Sequence, residues 1–195
     1  MTAAYRINEI FYSLQGEGFH VGTPALFIRF SGCNLKCPFC DTAHGESHRM
    51  TLDAIVESAS RCPARHVVLT GGEPALQADA VLIDELHAAG KFVAMETNGT
   101  HSLPQGIDWV TLSPKDAFVP HADIVIDCCH ELKVIFDGTP PPSYPTIHTG
   151  HRFLQPCDTG SEAENARILN QAVEYVKAHP EWRLSLQTHK LIGIM

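Results

Sequence analysis

Short apolar runs separated by helical patterns are the feature that most constrains the fold of this 195-residue chain. The runs end at glycine, proline or polar turn residues, as is typical of short strands buried on both faces. We predict seven strands, at Arg6–Ser13, Ala25–Phe30, His66–Leu69, Phe92–Glu96, Trp109–Leu112, Leu132–Phe136 and Leu184–Gln187. Ile124–Ile126 is a weaker candidate for a further strand. The chain therefore carries enough strand-forming segments for one sizeable sheet.

Two helices are predicted in the first half of the chain. Thr51 can cap a helix that runs to about Ser60, because a threonine hydroxyl can accept a hydrogen bond from an N–H group of the first turn. A second helix is expected over Leu76–Ala89, with Gly90 in the C′ position. Each helix lies between predicted strands, so each can pack against a sheet.

A third helix and the alternation of elements define the expected fold class. Ser161 and Glu164 have the spacing of a capping box, which predicts a helix from Ser161 to about Ala178. Strands that alternate with helices indicate the α/β class with a largely parallel sheet. Three helices cannot cover every strand of an eightfold barrel, so we predict a truncated, open (β/α) partial TIM-like barrel with about six parallel strands. We expect residues 1–195 to form a single domain.

The composition favours a cytoplasmic protein. The net charge is −8 with histidine counted as neutral, and no basic run occurs, which argues against nucleic acid as the main partner. The sequence has no signal-peptide pattern, and no apolar stretch approaches the ~20 residues of a membrane helix. Without export, seven cysteines favour metal binding or a reactive thiol over disulfides. Four of them are expected to be small buried apolar side chains: Cys62, Cys128, Cys129 and Cys157.

The other three cysteines stand in one short run with the spacing C-x3-C-x2-C. Cys33, Cys37 and Cys40 can bind three corners of a cubane iron–sulfur cluster and leave the fourth iron open to a ligand. The alternative is a zinc site completed by His44 or Cys62. Zinc sites more often use paired C-x2-C units, so the spacing favours the cluster.

Polar motifs follow five of the predicted strands or apolar stretches. Because the carboxyl ends of parallel strands meet at one edge of a sheet, these motifs are expected to converge. The motifs are SGC after Phe30, TGGEP after Leu69, TNG after Glu96, SPK after Leu112 and QPCD after Phe153–Leu154.

Two of these motifs have an interpretation in ligand binding. The backbone around Gly71 and Gly72 allows close approach, so its N–H and C=O groups can bind the amine and carboxylate of an amino acid. The carboxylate of Glu96 can accept hydrogen bonds from ribose hydroxyls. Each motif also has a simpler interpretation: TGGEP as a strand-to-helix turn, Asn98-Gly99 as a turn, and Lys115 as a solvated lysine.

Together the motifs resemble those of the radical S-adenosylmethionine enzymes. C-x3-C-x2-C after the first core strand, followed by GGEP after the second, is the pattern of that superfamily. The resemblance implies a [4Fe-4S] cluster whose open iron binds the amine and carboxylate of S-adenosylmethionine. Reductive cleavage then gives a 5′-deoxyadenosyl radical that abstracts hydrogen from a substrate, so no side chain is expected to act as a separate catalytic group.

A narrower resemblance is to the 7-carboxy-7-deazaguanine synthase family. FYSLQGEG, the CDT after the last cluster cysteine, SPK and the closing SLQTHKLIGIM carry it, from residue 9 to the C-terminus. The family converts 6-carboxy-5,6,7,8-tetrahydropterin to 7-carboxy-7-deazaguanine with loss of ammonia, on the route to queuosine. The resemblance therefore implies a carbon–nitrogen lyase with a small pterin substrate, a homodimer, and an electron donor such as flavodoxin.

The family match assigns site residues by motif. The residues implied to contact S-adenosylmethionine are Phe39, Cys40, Asp41, Gly72, Glu73, Glu96, Asn98, Ser113, Pro114, Lys115, Gln155, Pro156, Cys157 and Asp158. Those implied to contact the substrate are Leu14, Gln15, Gly16, Glu17, Arg29, Thr70, His189 and the main-chain carboxylate of Met195. The match also implies that Thr42 ligates Mg²⁺, for which a hydroxyl oxygen is a suitable hard ligand.

Two other functions stay open on the sequence. An activase of a glycyl-radical enzyme would share the cluster and GGEP but would need a protein substrate. A non-catalytic iron–sulfur or zinc-binding module would have no use for the motifs at the strand ends.

Overall fold

The computed structural model describes residues 4–40, 42 and 47–194 of the chain. The strands are β1 Ala4–Leu14, β2 Pro24–Phe30, β3 His48–Thr51, β4 His66–Gly71, β5 Phe92–Thr97, β6 Trp109–Leu112, β7 Cys128–Phe136, β8 His148–Pro156 and β9 Arg183–Leu184. The helices are α1 Leu52–Arg61, α2 Ala80–Ala88, α3 Glu162–Ala178 and α4 Thr188–Ile192, with a 3₁₀ turn at Pro74–Leu76. Within these residues, no helix has the length and apolarity needed to cross a membrane.

All the described strands belong to one open sheet in the order β3-β1-β2-β4-β5-β6-β7-β8-β9. Strands β2 and β4 to β9 are parallel neighbours, whereas β1 pairs antiparallel with both β2 and β3. The sheet is a partial TIM-like barrel of the α/β class, which confirms the predicted fold. Seven parallel strands are described where about six were expected, and the last of them is only two residues long.

Alternation along the strands gives the sheet two different faces. The outer face is apolar: Leu26 and Ile28 of β2 pack with Ile55 of α1 and with side chains of α2 in one core cluster. A second outer cluster packs Leu132 and Leu154 against α3. Since side chains alternate between faces, the residues between these positions point to the inner face, where the polar groups gather.

A cluster of rings fills the amino-terminal end of the inner face. The Trp109 ring stacks on those of Phe19, His130 and His151, with centroids 4.9, 5.1 and 5.8 Å away. Phe92, His20 and His66 continue the cluster, and the two imidazole centroids are 4.7 Å apart. We call these seven residues the ring plug. Because the plug fills one end, the remaining inner space opens toward the carboxyl ends of the strands.

Several predicted strands differ from those observed. Strand β3 and most of β8 were not predicted, because HRMT and HTGHRFLQP are largely polar. The prediction over Leu184–Gln187 was wrong beyond Leu184, since β9 covers only Arg183–Leu184 and α4 follows at Thr188. The described residues Ile124–Ile126 are not a strand.

The start of one helix and the capping of another also differ. The second helix begins at Ala80 and not at Leu76, because the carboxylate of Asp79 caps it by accepting the N–H of Leu82 at 2.9 Å. The predicted capping box at Ser161 does not form. Ser161 is the N-cap residue, as expected, but its hydroxyl makes no capping hydrogen bond. Glu164 pairs with Arg167 instead. The first helix agrees with the prediction, with the Thr51 hydroxyl accepting the N–H of Ala54 at 3.3 Å.

Candidate active site

A cavity of about 720 Å³ lies at the carboxyl ends of the parallel strands. This volume is within the usual range for small-molecule sites. Most of the predicted site residues line it: Leu14, Gln15, Gly16, Glu17, Arg29, Cys33, Cys37, Phe39, Cys40, Thr42, Thr70, Gly72, Glu96, Asn98, Ser113, Lys115, Gln155, Pro156, Cys157, Asp158 and His189. Motifs that are far apart in sequence are therefore brought to one place.

Four predicted residues are not part of this lining. Pro114 is buried beside the cavity, and Glu73 is buried behind the loop that contains it. Asp41 and Met195 lie outside the described residues, as does His44 of the zinc alternative. The structure therefore gives no geometry for the last three.

The cysteine run forms a loop in the wall of the cavity. The Cys33 sulfur accepts the N–H of Leu35 at 3.4 Å, and the N–H of Cys40 donates to the carbonyl of Cys37 at 3.2 Å. Burial raises the pKa of the thiols of Cys33 and Cys37, and the ammonium of Lys115 opposes that rise. A ligand that stabilises thiolates is therefore needed for these sulfurs to be anionic at neutral pH.

The zinc site that the sequence left open would need His44 or Cys62 as a further ligand beside these thiols. Among the described residues, no group of three or more His, Cys, Asp or Glu side chains is close enough to hold one metal ion. Cys62 of the zinc alternative lies at the end of α1, packed against the outer core. A cubane spreads its thiolate ligands over a wider area, as three cysteines lining one cavity can provide.

Lys115 places a positive charge beside the cysteines. Its Nζ donates to the carbonyl and hydroxyl oxygens of Ser113 at 2.6 and 2.7 Å. Burial lowers the pKa of Lys115 to about 8, although the neighbouring Cys37 favours its charged form. Lys115 is thus not a solvated lysine, because its ammonium is directed into the site.

The TGGEP loop is joined to the cysteine loop by backbone hydrogen bonds. The N–H groups of Gly72 and Glu73 donate to the carbonyls of Phe30 and Gly32, each at 2.9 Å. Those two N–H groups are therefore not available to a ligand carboxylate, in contrast to the expectation from sequence. Gly71 has a φ of +114°, and a Cβ on Gly72 would lie 2.0 Å from the Gly32 carbonyl oxygen, so both positions require glycine.

Glu73 connects this loop to the end of β5. Its carboxylate accepts hydrogen bonds from the Thr97 hydroxyl and the Asn98 N–H, both at 2.7 Å, and from the Ala75 N–H at 3.0 Å. Burial raises the pKa of Glu73, and these hydrogen bonds oppose the rise. Glu73 thus holds the two loops together, and of these residues Asn98 has the side chain that lines the cavity.

A second cationic side chain, that of Arg29, lines the cavity. The Arg29 guanidinium pairs with Glu9 of β1 at 2.8 Å and lies over the Phe11 ring, 5.6 Å from its centroid. Glu9 uses only one edge of the guanidinium, so Arg29 retains N–H groups that can bind a carboxylate.

Glu96 is held toward the cavity by two neutral donors. The Thr70 hydroxyl donates to one of its oxygens at 3.0 Å, and the Gln15 amide donates to the other at 3.1 Å. The geometry thus groups Glu96 with Gln15 and Thr70, which the family match assigned to the substrate.

A buried ion pair completes this wall. Lys133 of β7 contacts the carboxylate of Glu17, and its Nζ is 3.8 Å from the Glu96 carboxylate. Burial opposes the ionisation of Glu17, but the Lys133 ammonium outweighs it and lowers the pKa of Glu17 to about 2. Burial also opposes the charge of Lys133, but Glu17, Glu96 and Glu131 together raise its pKa above the ordinary value. Glu17 and Lys133 are therefore both charged over the physiological range.

Helix α4 packs against the GEG turn near the N-terminus. The N–H and hydroxyl of Thr188 both donate to the Gly16 carbonyl, at 3.0 and 2.8 Å. A Cβ on Gly16 would lie 2.1 Å from Nδ1 of His189, so glycine is needed for this imidazole to reach the cavity. The turn and α4 form one unit of the cavity wall.

The QPCD segment contributes the wall next to α4. Its Asp158 pairs with Lys190 at 2.7 Å and accepts the Asn165 amide at 2.8 Å, which lowers the pKa of Asp158. The Gln155 amide oxygen accepts the Ser185 hydroxyl at 3.0 Å. The segment is therefore fixed at both ends.

Sequence reasoning missed several residues of the cavity. Lys133 and Glu9 are strand residues on the inner face, and alternation from Leu132 or Ile10 would have placed them there. Gln187 donates to Glu17 at 3.0 Å, and no local signal could have found it because it precedes an unpredicted helix. Two other missed residues, Asn8 and Lys190, also line the cavity.

Comparison with known proteins is consistent with this geometry. The Radical SAM superfamily matches residues 27–118. The 7-carboxy-7-deazaguanine synthase of Bacteroides thetaiotaomicron is 54% identical over 97% of this chain and 98% of its own length. That of Nitratidesulfovibrio vulgaris is 43% identical over 97% and 99%. The solved structure titled "Crystal structure of QueE from Escherichia coli" has a TM-score of 0.74 at 29% identity and covers 95% of both chains. With its cysteine run, GGEP loop and partial barrel, the chain belongs to the 7-carboxy-7-deazaguanine synthase family of radical S-adenosylmethionine enzymes.

Proposed function

We propose that this chain converts 6-carboxy-5,6,7,8-tetrahydropterin to 7-carboxy-7-deazaguanine with loss of ammonia, as a carbon–nitrogen lyase of queuosine biosynthesis. The observation that carries the proposal is the shared cavity. The three cysteines, Arg29 and the carboxylates of Glu17 and Glu96 all line it. A cation and hydrogen-bond acceptors in one cavity suit a small carboxylated heterocycle that carries N–H groups.

Cys33, Cys37 and Cys40 would hold the [4Fe-4S] cluster that membership of the superfamily implies. Together with S-adenosylmethionine, the bound cluster supplies the one-electron chemistry that removes hydrogen from the substrate. The polypeptide around it binds and orients S-adenosylmethionine and the substrate, and it excludes water. The side chain of Lys115 provides a buried positive charge next to the sulfurs.

Residues on the cluster side of the cavity are proposed to bind S-adenosylmethionine. Phe39 packs edge-to-face on Phe118, with centroids 4.9 Å apart, and so offers a fixed apolar surface. The N–H groups of Gly72 and Glu73 are already donated, and the carbonyls of Glu73 and Pro74 already accept hydrogen bonds, so the Gly72 carbonyl is the group of this loop proposed to bind an ammonium group. The remaining proposed contacts are Cys40, Asp41, Asn98, Ser113, Pro114, Lys115, Gln155, Pro156, Cys157 and Asp158, with Glu73 acting through its loop.

Glu96 is better assigned to the substrate than to a ribose. Gln15 and Thr70 both donate to its carboxylate, and Lys133 is close by. The guanidinium of Arg29 is proposed to bind the substrate carboxylate. The other proposed substrate contacts are Leu14, Gly16, Glu17, His189 and the main-chain carboxylate of Met195.

Three further parts of the proposal come from the family resemblance. Thr42 lines the cavity, where its hydroxyl would ligate a Mg²⁺ ion that also binds the substrate. The chain is proposed to form one domain over residues 1–195 and to act as a homodimer. A small reductant protein such as flavodoxin is proposed to deliver the electron.

Turnover by the reconstituted enzyme tests the proposal. The protein is reconstituted anaerobically with iron and sulfide, and iron analysis should give about four irons per chain. It is then incubated with S-adenosylmethionine, Mg²⁺, a reductant and 6-carboxytetrahydropterin, and the products are analysed by mass spectrometry. We expect 7-carboxy-7-deazaguanine and ammonia in equal amounts. Absence of the deazaguanine from protein with a full cluster would refute the proposal, and zinc in place of iron would favour a binding module.

A further inference from the structure

Lys133 is the least exposed charged side chain in the wall of the cavity that carries Glu17 and Glu96. Its side chain is 5% exposed, against 14% for Glu17 and 25% for Glu96. Burying an ammonium is unfavourable unless it is paired, and here it contacts one carboxylate and approaches a second. The Lys133 ammonium is therefore paired with specific carboxylates and is not a solvated surface charge.

The two carboxylates keep free acceptor capacity on the cavity side. A carboxylate has about four lone-pair positions. The hydrogen bonds seen at Glu17 come from Lys133 and from Gln187 at 3.0 Å. Those seen at Glu96 come from Gln15 and Thr70. Both side chains line the cavity, so the remaining lone pairs can accept hydrogen bonds from a ligand.

Lys133 also determines whether these groups accept or donate. Three carboxylates, those of Glu17, Glu96 and Glu131, act electrostatically on this single ammonium. Without a cation, neighbouring carboxylates raise each other's pKa, which favours protonation of one of them. A protonated carboxyl donates through its O–H group, which reverses the hydrogen-bond pattern presented to a ligand.

We propose that Lys133 is a positioning residue that holds Glu17 and Glu96 as paired anionic acceptors and so selects a substrate whose pyrimidine edge carries N–H donors. The inference rests on the proposed function. The pterin named there has an amino group at position 2 next to a ring N–H, and these are adjacent donors. Lys133 touches the carboxylates and acts on the substrate through them.

Binding of two substrate analogues tests this role without turnover. 6-Carboxypterin keeps the 2-amino group, whereas 6-carboxylumazine has a carbonyl oxygen there and places lone pairs against the carboxylates. Dissociation constants are measured by fluorescence titration of the reconstituted enzyme with Mg²⁺. We expect the wild type to bind the pterin more tightly by on the order of 10-fold to 100-fold, the range for hydrogen bonds to charged groups.

In Lys133→Met, we expect the dissociation constants of the two ligands to differ by no more than about threefold. A protonated or displaced carboxylate no longer distinguishes the two ligands. Lys133→Gln keeps a hydrogen-bond donor beside Glu17 without the charge, so it carries the same test if Lys133→Met does not fold. Lys91→Met is the matched control. Its Nζ donates to the carbonyls of Cys62 and Ala64, away from the cavity, so the preference should stay unchanged.

Two results would overturn the inference while leaving the proposed function intact. One is a preference for the pterin in folded Lys133→Met that differs from the wild-type preference by less than twofold. The other is equal weakening of both ligands, which a general structural role of Lys133 predicts. If the wild type binds neither analogue and forms no deazaguanine, the proposed function fails and the inference with it. Visible absorbance of the cluster and circular dichroism establish that each variant is folded and loaded.

Discussion

The carboxylate of Glu73 accepts the backbone N–H of Asn98 at 2.7 Å, which ties the loop after β4 to the end of β5. The same carboxylate accepts the Thr97 hydroxyl and the Ala75 N–H, so one buried side chain fixes two loops. Those loops carry the glycines and the Asn98 side chain that face the cysteine run. The geometry of the cluster side thus depends on a residue that does not line the cavity.

Replacing Glu73 with Gln should destabilise the protein by about 1–3 kcal/mol, because an amide cannot accept all three hydrogen bonds and leaves buried donors unsatisfied. Thermal unfolding of the reconstituted protein measures the change. Glu57→Gln, an exposed substitution on α1, is the control and should shift the melting temperature little. Equal melting temperatures for both variants would contradict the role given to Glu73.

Replacing Cys37 with Ala should abolish the visible absorbance of the cluster after reconstitution and reduce bound iron to a small fraction of the wild-type value. Two thiolates cannot hold a cubane that needs three protein ligands. Cys128→Ala is the matched control, since Cys128 is exposed at the start of β7, outside the cavity. A full cluster in Cys37→Ala would remove this cysteine from the ligand set.

Replacing Thr42 with Ala should leave the cluster intact and weaken Mg²⁺-dependent turnover about 10-fold, because the loss of a ligand hydroxyl lowers the affinity for the ion. The Mg²⁺ concentration for half-maximal rate is the quantity to measure. Thr149→Ala, on β8 near the ring plug, should not change it. An unchanged Mg²⁺ dependence in Thr42→Ala would exclude Thr42 as a ligand.

Replacing Arg29 with Lys should raise the KM for the pterin substrate about 10-fold and change kcat less, since a lysine keeps the charge but loses bidentate binding of a carboxylate. Pairing with Glu9 does not remove this role, because it occupies one edge of the guanidinium. Steady-state kinetics with Arg61→Lys as control checks the prediction, as Arg61 is exposed on α1. A fall in kcat alone would indicate that Arg29 acts after binding.

The ring plug should make folding stability depend on pH. Burial and the neighbouring His20 lower the pKa of His66 to about 4, while Asp108 opposes them. The unfolded chain binds a proton near the ordinary histidine pKa of about 6.5 and the folded chain does not, so stability falls as the pH drops from 6.5 toward 4. We expect a loss of about 2 kcal/mol between pH 7 and pH 5 from this residue.

His66→Phe isolates that contribution. Phenylalanine fills the same buried position and does not titrate, so urea unfolding of the variant should lose less stability between the two pH values than the wild type. Burial and His151 also lower the pKa of His20, which contributes in the same direction in both proteins. Identical pH dependences for wild type and variant would show that His66 has the same pKa in the folded and unfolded chains.

The sequence predicted the buried strands well and the polar ones badly. Strand β6 was predicted with the observed bounds, because WVTL is a short apolar run between turns. Strand β3 was missed because HRMT has one apolar residue. The strand forms by pairing with β1, a long-range contact that the local sequence does not show. Helix α2 was predicted four residues too early, because a 3₁₀ turn precedes the Asp79 cap.

The site was predictable where residues stand in a motif and not where partners meet across the fold. The cysteine run and TGGEP are contiguous in sequence, so their chemistry could be read directly. Lys133 is 116 residues from Glu17, and only the alternation of β7 and the turn after β1 bring them together. A buried lysine has no local signature, because its meaning depends on the carboxylates around it.

The ring plug affects the order in which ligands enter and leave the cavity. With the amino-terminal end of the described barrel filled by stacked rings, no ligand can pass through that end. Where two ligands share the route at the other end, the ligand nearer the plug enters first and leaves last. Release of the outer ligand can then limit turnover even when the bond-breaking steps are fast.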